Sequence, residues 1–240
     1  VGVDTATSKI SVANATSPYA TIQFNAGANY YTFENMTIEG TSTTGARPVY
    51  CANQVEGITF KNCALNVLSN QTSSLFDPVY ITNTATPTSN FLFEGNTMRG
   101  GYYGIYNYGA AATRHTNTTI TNTTVSGVYY YGVYCWYMDG MIFSNNTVRN
   151  FGNTINYGMY SYYLYNSTRQ TSITNNRIRV NGGYGLMVYY TDYGVNGGRT
   201  PITNNMVSVG SSANTTTAAG IYTYGIRGTD IHHNTVRVEG

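Results

Sequence analysis

Few side chains here suit bond-making or metal binding. The chain of 240 residues holds five aspartates (Asp4, Asp77, Asp139, Asp192, Asp230), three histidines (His115, His232, His233) and three cysteines (Cys51, Cys63, Cys135). Two carboxylates at a fixed separation are the least that glycoside hydrolysis requires, and calcium wants several oxygen ligands. His232-His233 invites a metal reading, but neighbours on an extended strand point to opposite sides. His115 reads as a loop residue. The cysteines are odd in number, lack metal-ligand spacing and read as small buried side chains. Asp139, Asp230, His232 and Arg227 are the best catalytic candidates, and the expectation is no catalytic residue, no metal and no cofactor.

The elements that would position these groups come from a repeat. Gly132 to Asn150 holds one unit: an alternating opening run Gly-Val-Tyr-Cys-Trp, a turn at Met138-Asp139-Gly140, Ile142-Phe143, a bend at Asn145-Asn146, and a further run through Thr147-Val148. Aligned on Phe143, equivalent anchors stand at Phe33, Phe60, Phe93, Ile120, Ile173, Ile202 and Ile231, at intervals of 27, 33, 27, 23, 30, 29 and 29 residues. Five places after each anchor the residue is apolar: Ile38, Leu65, Met98, Val125, Val148, Ile178, Val207 and Val236. Two places after it stands Asn, except at Gly95 and His233, and Asn recurs one place later at Asn96, Asn146, Asn176, Asn205 and Asn234. Such a period indicates a solenoid whose coils are stable only when stacked. Stacked inward Asn side chains satisfy one another through donor and acceptor. Ile10 and Val12 place the start of the chain in mid-coil.

Later coils open at Gly104, Gly132, Gly158, Gly185 and Gly220, glycines that suit a turn. Alternation turns Ile105, Val133, Met159, Leu186 and Ile221 inward, with Asn107, Cys135, Ser161, Val188 and Thr223 two places on. Cys51 and Cys135 then lie three coils apart, about 14 Å at the usual strand spacing and beyond disulfide reach. Outward, Tyr50, Tyr80, Tyr106, Tyr134, Tyr160 and Tyr222, interrupted by Met187, form one ladder, and Tyr108, Trp136, Tyr162, Tyr189 and Tyr224 a second.

Composition excludes several classes. Only 9% of residues are charged, 14% are aromatic and the net charge is +2, with ten Arg and two Lys that look scattered along the chain. That leaves no electrostatic case for nucleic acid. No apolar run is long enough to span a membrane, and neither an initiator Met nor a signal peptide is seen, so the chain reads as a mature or excised portion.

The pattern Gly-Met-Tyr-Ser-Tyr at Gly158, followed by Ile173-Thr-Asn-Asn-Arg-Ile178, resembles the right-handed parallel β-helix repeat of the pectate-lyase-like superfamily, over about residues 10–240. The resemblance implies an all-β solenoid of about eight coils, three short strands per coil, as a single domain over residues 1–240 that is uncapped at both ends. The superfamily includes polysaccharide lyases and hydrolases, yet the five Asp fall at different offsets from their anchors, and the paired Asp and Gly-His-Gly motifs of polygalacturonases are absent. The Tyr- and Asn-rich texture is similar to repeat regions of secreted or surface bacterial proteins. The expectation is a non-catalytic structural or adhesive protein, secreted or at the cell surface, that self-associates end to end or continues in a longer chain. A carbohydrate-binding module, or a lyase or hydrolase, is the alternative. Glycans or a protein partner would bind Tyr106, Tyr108, Tyr134, Trp136, Tyr160, Tyr162, Tyr189, Tyr222 and Tyr224. Of eight Asn-x-Ser/Thr sequons, Asn70, Asn117, Asn166 and Asn214 are the loop candidates for glycosylation.

Overall fold

Each coil contributes one strand to each of three parallel sheets, and every sheet runs the length of the molecule. The computed structural model describes residues 8–52, 54–67, 71–82, 85–149, 151–153, 155–192, 198–210 and 218–239. No helix occurs among them. The opening sheet runs from Ala20–Phe24 to Ala218–Tyr224, the anchor sheet from Thr32–Glu34 to Thr229–His232, and the closing sheet from Lys9–Val12 to Thr235–Val238.

The repeat alignment is the register. Phe33 pairs with Phe60, Phe60 with Phe93, and so on through Ile120, Phe143, Ile173 and Ile202 to Ile231. In the closing sheet Ile10 lies beside Ile38, which lies beside Leu65, and the column continues to Val236. Like residues therefore stack on like. Phe33, Phe60 and Phe93 pack ring over ring at 5.0 and 5.5 Å, and between the two terminal coils the interior columns are almost wholly removed from water.

The two Asn positions at the bend divide the work. The first adopts a left-handed backbone, with φ of 54°, 51°, 51°, 57°, 58° and 57° at Asn35, Asn62, Asn122, Asn145, Asn175 and Asn204. Gly95 (φ 66°) and His233 (φ 55°) take the same conformation, so all three residue types answer one steric demand. The second Asn points inward. Asn146 donates to Asn176 Oδ1, Asn176 to Asn205 Oδ1 and Asn205 to Asn234 Oδ1, at 3.1, 3.0 and 2.9 Å. Each also donates to an anchor carbonyl one coil back, as Asn176 does to Phe143 at 2.9 Å. Where the ladder lacks Asn, Cys63 Sγ and Thr123 Oγ1 donate to carbonyls instead.

Four expectations need correction. The opening glycines are not turn residues: Gly104, Gly132, Gly158, Gly185 and Gly220 lie in strands without positive φ. What they supply is space, since a Cβ at Gly158 would collide with Ile178 and the Gly185 carbonyl, and one at Gly220 with Val236. The opening strands of the middle coils are long rather than short, Tyr131–Asp139 and Asn156–Tyr165 having 9 and 10 residues. Consequently Met138 and Asp139 are buried strand residues and the turn falls at Gly140 (φ 68°). His115 is no loop residue either. It forms the strand His115–Thr116 beside Met138–Asp139, is fully buried, and its Nδ1 lies 2.6 Å from Asn107 Oδ1. Cys51, Cys63 and Cys135 are buried thiols, as expected.

Candidate functional site

The outer face of the opening sheet is paved with aromatic rings. Tyr50, Tyr80, Tyr106, Tyr134 and Tyr160 stack nearly parallel at 5.8, 4.7, 5.2 and 5.2 Å. Beside them Tyr108, Trp136, Tyr162, Tyr189 and Tyr224 stand in register, with Trp136 and Tyr162 at 4.3 Å. Met187 interrupts the first column but is only 6% exposed. Tyr189 leans across it, 5.9 Å from Tyr160 and 5.8 Å from Tyr222.

The structure adds two columns that the alternation rule misses. Tyr103, Tyr131, Tyr157 and Tyr184 stack at 5.1, 4.8 and 5.4 Å, just before the opening glycines. Gly104 and Ile105 both face inward, which brings Tyr103 and Tyr106 to the same side. Tyr137, Tyr163 and Tyr190 make the other column at 4.8 and 4.9 Å. Their φ values of 53°, 60° and 50° put them in the left-handed region, where a residue other than Gly, Asn or Asp costs about 1–2 kcal/mol. The doublets Trp136-Tyr137, Tyr162-Tyr163 and Tyr189-Tyr190 at one point of the repeat carried that signal.

Packing against neighbours half-buries several of these rings and pushes some of their phenols up. Burial is the main cause at Tyr103, Tyr106, Tyr131, Tyr134 and Tyr157, reinforced by adjacent tyrosines, and Tyr162 is raised to about 12. A tyrosine hydroxyl acts as both donor and acceptor. At one margin of the face Tyr163, Tyr165, Tyr190, Asp192 and Arg227 line a cavity of about 340 Å³.

A buried Arg–Asp pair underlies the early rings. Asp77 has no exposed surface, and Arg47 Nε lies 3.4 Å from its Oδ2. The Arg47 guanidinium also sits 3.8 Å over the Tyr80 ring. Burial pushes the Asp77 carboxyl up to about 8, with Arg47 and the Tyr103 N–H pulling the other way. The single 3.4 Å contact is too long to offset full loss of water.

The catalytic candidates are not brought together as a pair. Asp139 is buried and accepts the backbone N–H groups of Ser167 and Thr168 at 2.7 and 3.1 Å, which makes it a turn clasp. Asp230 pairs with Arg199 at 2.7 Å. His232 and His233 do not point apart as an extended strand would require. The left-handed turn at His233 brings their Nδ1 atoms to 3.1 Å, both rings exposed. Among the described residues no group of three or more His, Cys, Asp or Glu is placed to hold a metal. Asp4, Asn70 and Asn214 lie outside the described residues. Asn166 is not a loop-tip amide: it is 7% exposed and donates to Asp192 O and Thr200 Oγ1. Asn117 is partly exposed and donates to Asn90 Oδ1 at 3.1 Å.

Three parallel sheets with an Asn-lined bend and a bare aromatic face define a parallel β-helix. A family model described as "Right handed beta helix region" matches residues 8–237, and the chain belongs to that family. No curated protein and no solved structure matches it.

Proposed function

We propose that this chain is a non-catalytic β-helix acting outside the cell as a structural or adhesive element, with the tyrosine face as its contact surface. The observation that carries this reading is the stacking of four aromatic columns over successive coils, with Tyr189 bridging the first where Met187 interrupts it. Rings already held by their neighbours lose little freedom on docking, and tyrosine offers an apolar body with a polar tip. The left-handed tyrosines support the reading further, because a column that costs backbone strain is retained against folding stability. Coils in constant register also suit end-to-end association, as the partner chemistry most compatible with the fold.

A glycan-binding reading is favoured by the cavity at Tyr190, where ring faces stand beside a carboxylate and a guanidinium. Exchange of Trp136 and Tyr162 for Ala tests both readings. The double variant should keep its circular dichroism and lose at least tenfold in attachment to immobilised neutral glycans or to a second copy of the chain. Unchanged attachment refutes the tyrosine face as the contact surface. Release of reducing or unsaturated ends from polysaccharides, abolished by Asp139→Asn or Asp230→Asn, refutes the non-catalytic reading.

A further inference from the structure

The arginines that look scattered along the chain are gathered by the closing sheet. Arg99, Arg149, Arg179 and Arg237 each follow their anchor by six places. In register, Arg99 lies beside Ser126 and Ser126 beside Arg149. Val148 pairs with Ile178, which sets Arg179 next in line, and Arg179 pairs with Ser208, Ser208 with Arg237. Arg177, opposite Thr147, widens the row in the adjacent column. All five side chains are exposed. The row spans five coil steps, about 24 Å at the usual strand spacing.

Most of its charge is uncompensated among the described residues. Arg237 pairs with Glu239 at 2.7 Å, but among the described residues no carboxylate pairs with Arg99, Arg149, Arg177 or Arg179. Other cations of the molecule are engaged: Lys9 with Glu39, Lys61 with Glu94, Arg199 with Asp230, and Arg114 over the Tyr165 ring. Like charges on adjacent strands are destabilising, so Arg149 beside Arg179 is a cost that no carboxylate among the described residues offsets. Arg149, Arg177 and Arg179 line a shallow depression of about 340 Å³ together with Thr124 and Thr147.

We propose that this face binds a linear anionic polysaccharide laid along the solenoid axis. Guanidinium forks match carboxylate and sulfate groups, and the threonine hydroxyls between them suit sugar hydroxyls. The outer positions carry no aromatic ring on which nucleic-acid bases would stack. Met206 is the large apolar side chain in the Arg177 column, too little for insertion into a lipid surface. This binding is independent of the tyrosine face.

The test uses the whole chain with heparin and polygalacturonate as probes, beside single-stranded DNA and phosphatidylglycerol vesicles. The variant R149S/R177T/R179S installs residues that the same columns carry at Ser126, Ser208 and Thr147. It should fold with an unchanged or raised melting temperature. The wild type should bind at least one polysaccharide in preference to DNA and vesicles, with affinity falling steeply between 50 and 500 mM salt (assay settings chosen to be about threefold either side of physiological strength). The triple variant should lose at least tenfold, while the Trp136/Tyr162 double variant keeps full affinity. Absence of binding to both polysaccharides, binding undiminished in the triple variant, or tighter binding to DNA or vesicles overturns the proposal.

Discussion

Replacing Asn176 by Ala tests the claim that the inner Asn ladder holds the coils in register. The side chain is 1% exposed. Its Nδ2 donates to Phe143 O and Asn205 Oδ1 at 2.9 and 3.0 Å, and its Oδ1 accepts Asn146 N and Asn146 Nδ2 at 2.9 and 3.1 Å. At about 1 kcal/mol net for each, the loss comes to about 4 kcal/mol, because water has no path to the orphaned groups. Asn234 has the same chemistry but lies partly exposed in the last coil, where solvent can stand in, so Asn234→Ala should cost about 1 kcal/mol. Asn176→Thr should fall between, as Thr123 holds this place with a donor to Phe93 O. Urea unfolding followed by far-ultraviolet circular dichroism measures all three. Equal losses at Asn176 and Asn234, or a loss at Asn176 under about 1 kcal/mol, would refute the argument.

Three further outcomes follow from the packing and the titrating groups. Gly158→Ala forces a Cβ against Ile178 and the Gly185 carbonyl and should destabilise by about 1–3 kcal/mol, whereas Gly127→Ala, which meets only Gly100 N at 3.7 Å, loses through its φ of 67° alone. The Asp77 carboxyl, raised from 3.8 to about 8, keeps its proton when folded and releases it when unfolded over that window. Its contribution is thus full below pH 4 and is lost as pH rises through 8, by up to about 1.4 kcal/mol per pH unit; Asp77→Asn should flatten the slope, and an unchanged slope refutes the assignment. The Tyr106 and Tyr134 phenols are raised above their ordinary value of 10, so their contribution is present below pH 10 and is lost above it. An absorbance titration should therefore show part of the 25 tyrosines ionising only beyond pH 12 or with loss of the fold, and uniform ionisation near pH 10 with intact circular dichroism would contradict the packing.

In a solenoid the long-range contacts join equivalent positions one repeat apart, so aligning the chain on itself already writes the contact map. Phe143 against Ile173, Val148 against Ile178 and Trp136 against Tyr162 were legible for that reason. The bend was legible as a preference for Asn, with His233 and Gly95 as departures that the left-handed backbone makes equivalent. The arginine row was present as a constant six-residue offset, although a reading of charge along the chain sees Arg99 and Arg149 fifty residues apart. Segments without a counterpart in other coils were decided by tertiary structure alone. Burial of His115 against Asn107, the Arg47–Asp77 pair beneath Tyr80, and Asp139 clasping Ser167 and Thr168 each join residue types that no other coil repeats at those places. The left-handed tyrosines do recur from coil to coil, yet their backbone too was decided by tertiary structure. Strict alternation assumes an unbroken extended strand, and the break at Tyr137, Tyr163 and Tyr190 exists because stacked long strands hold it in place, one coil upon the next.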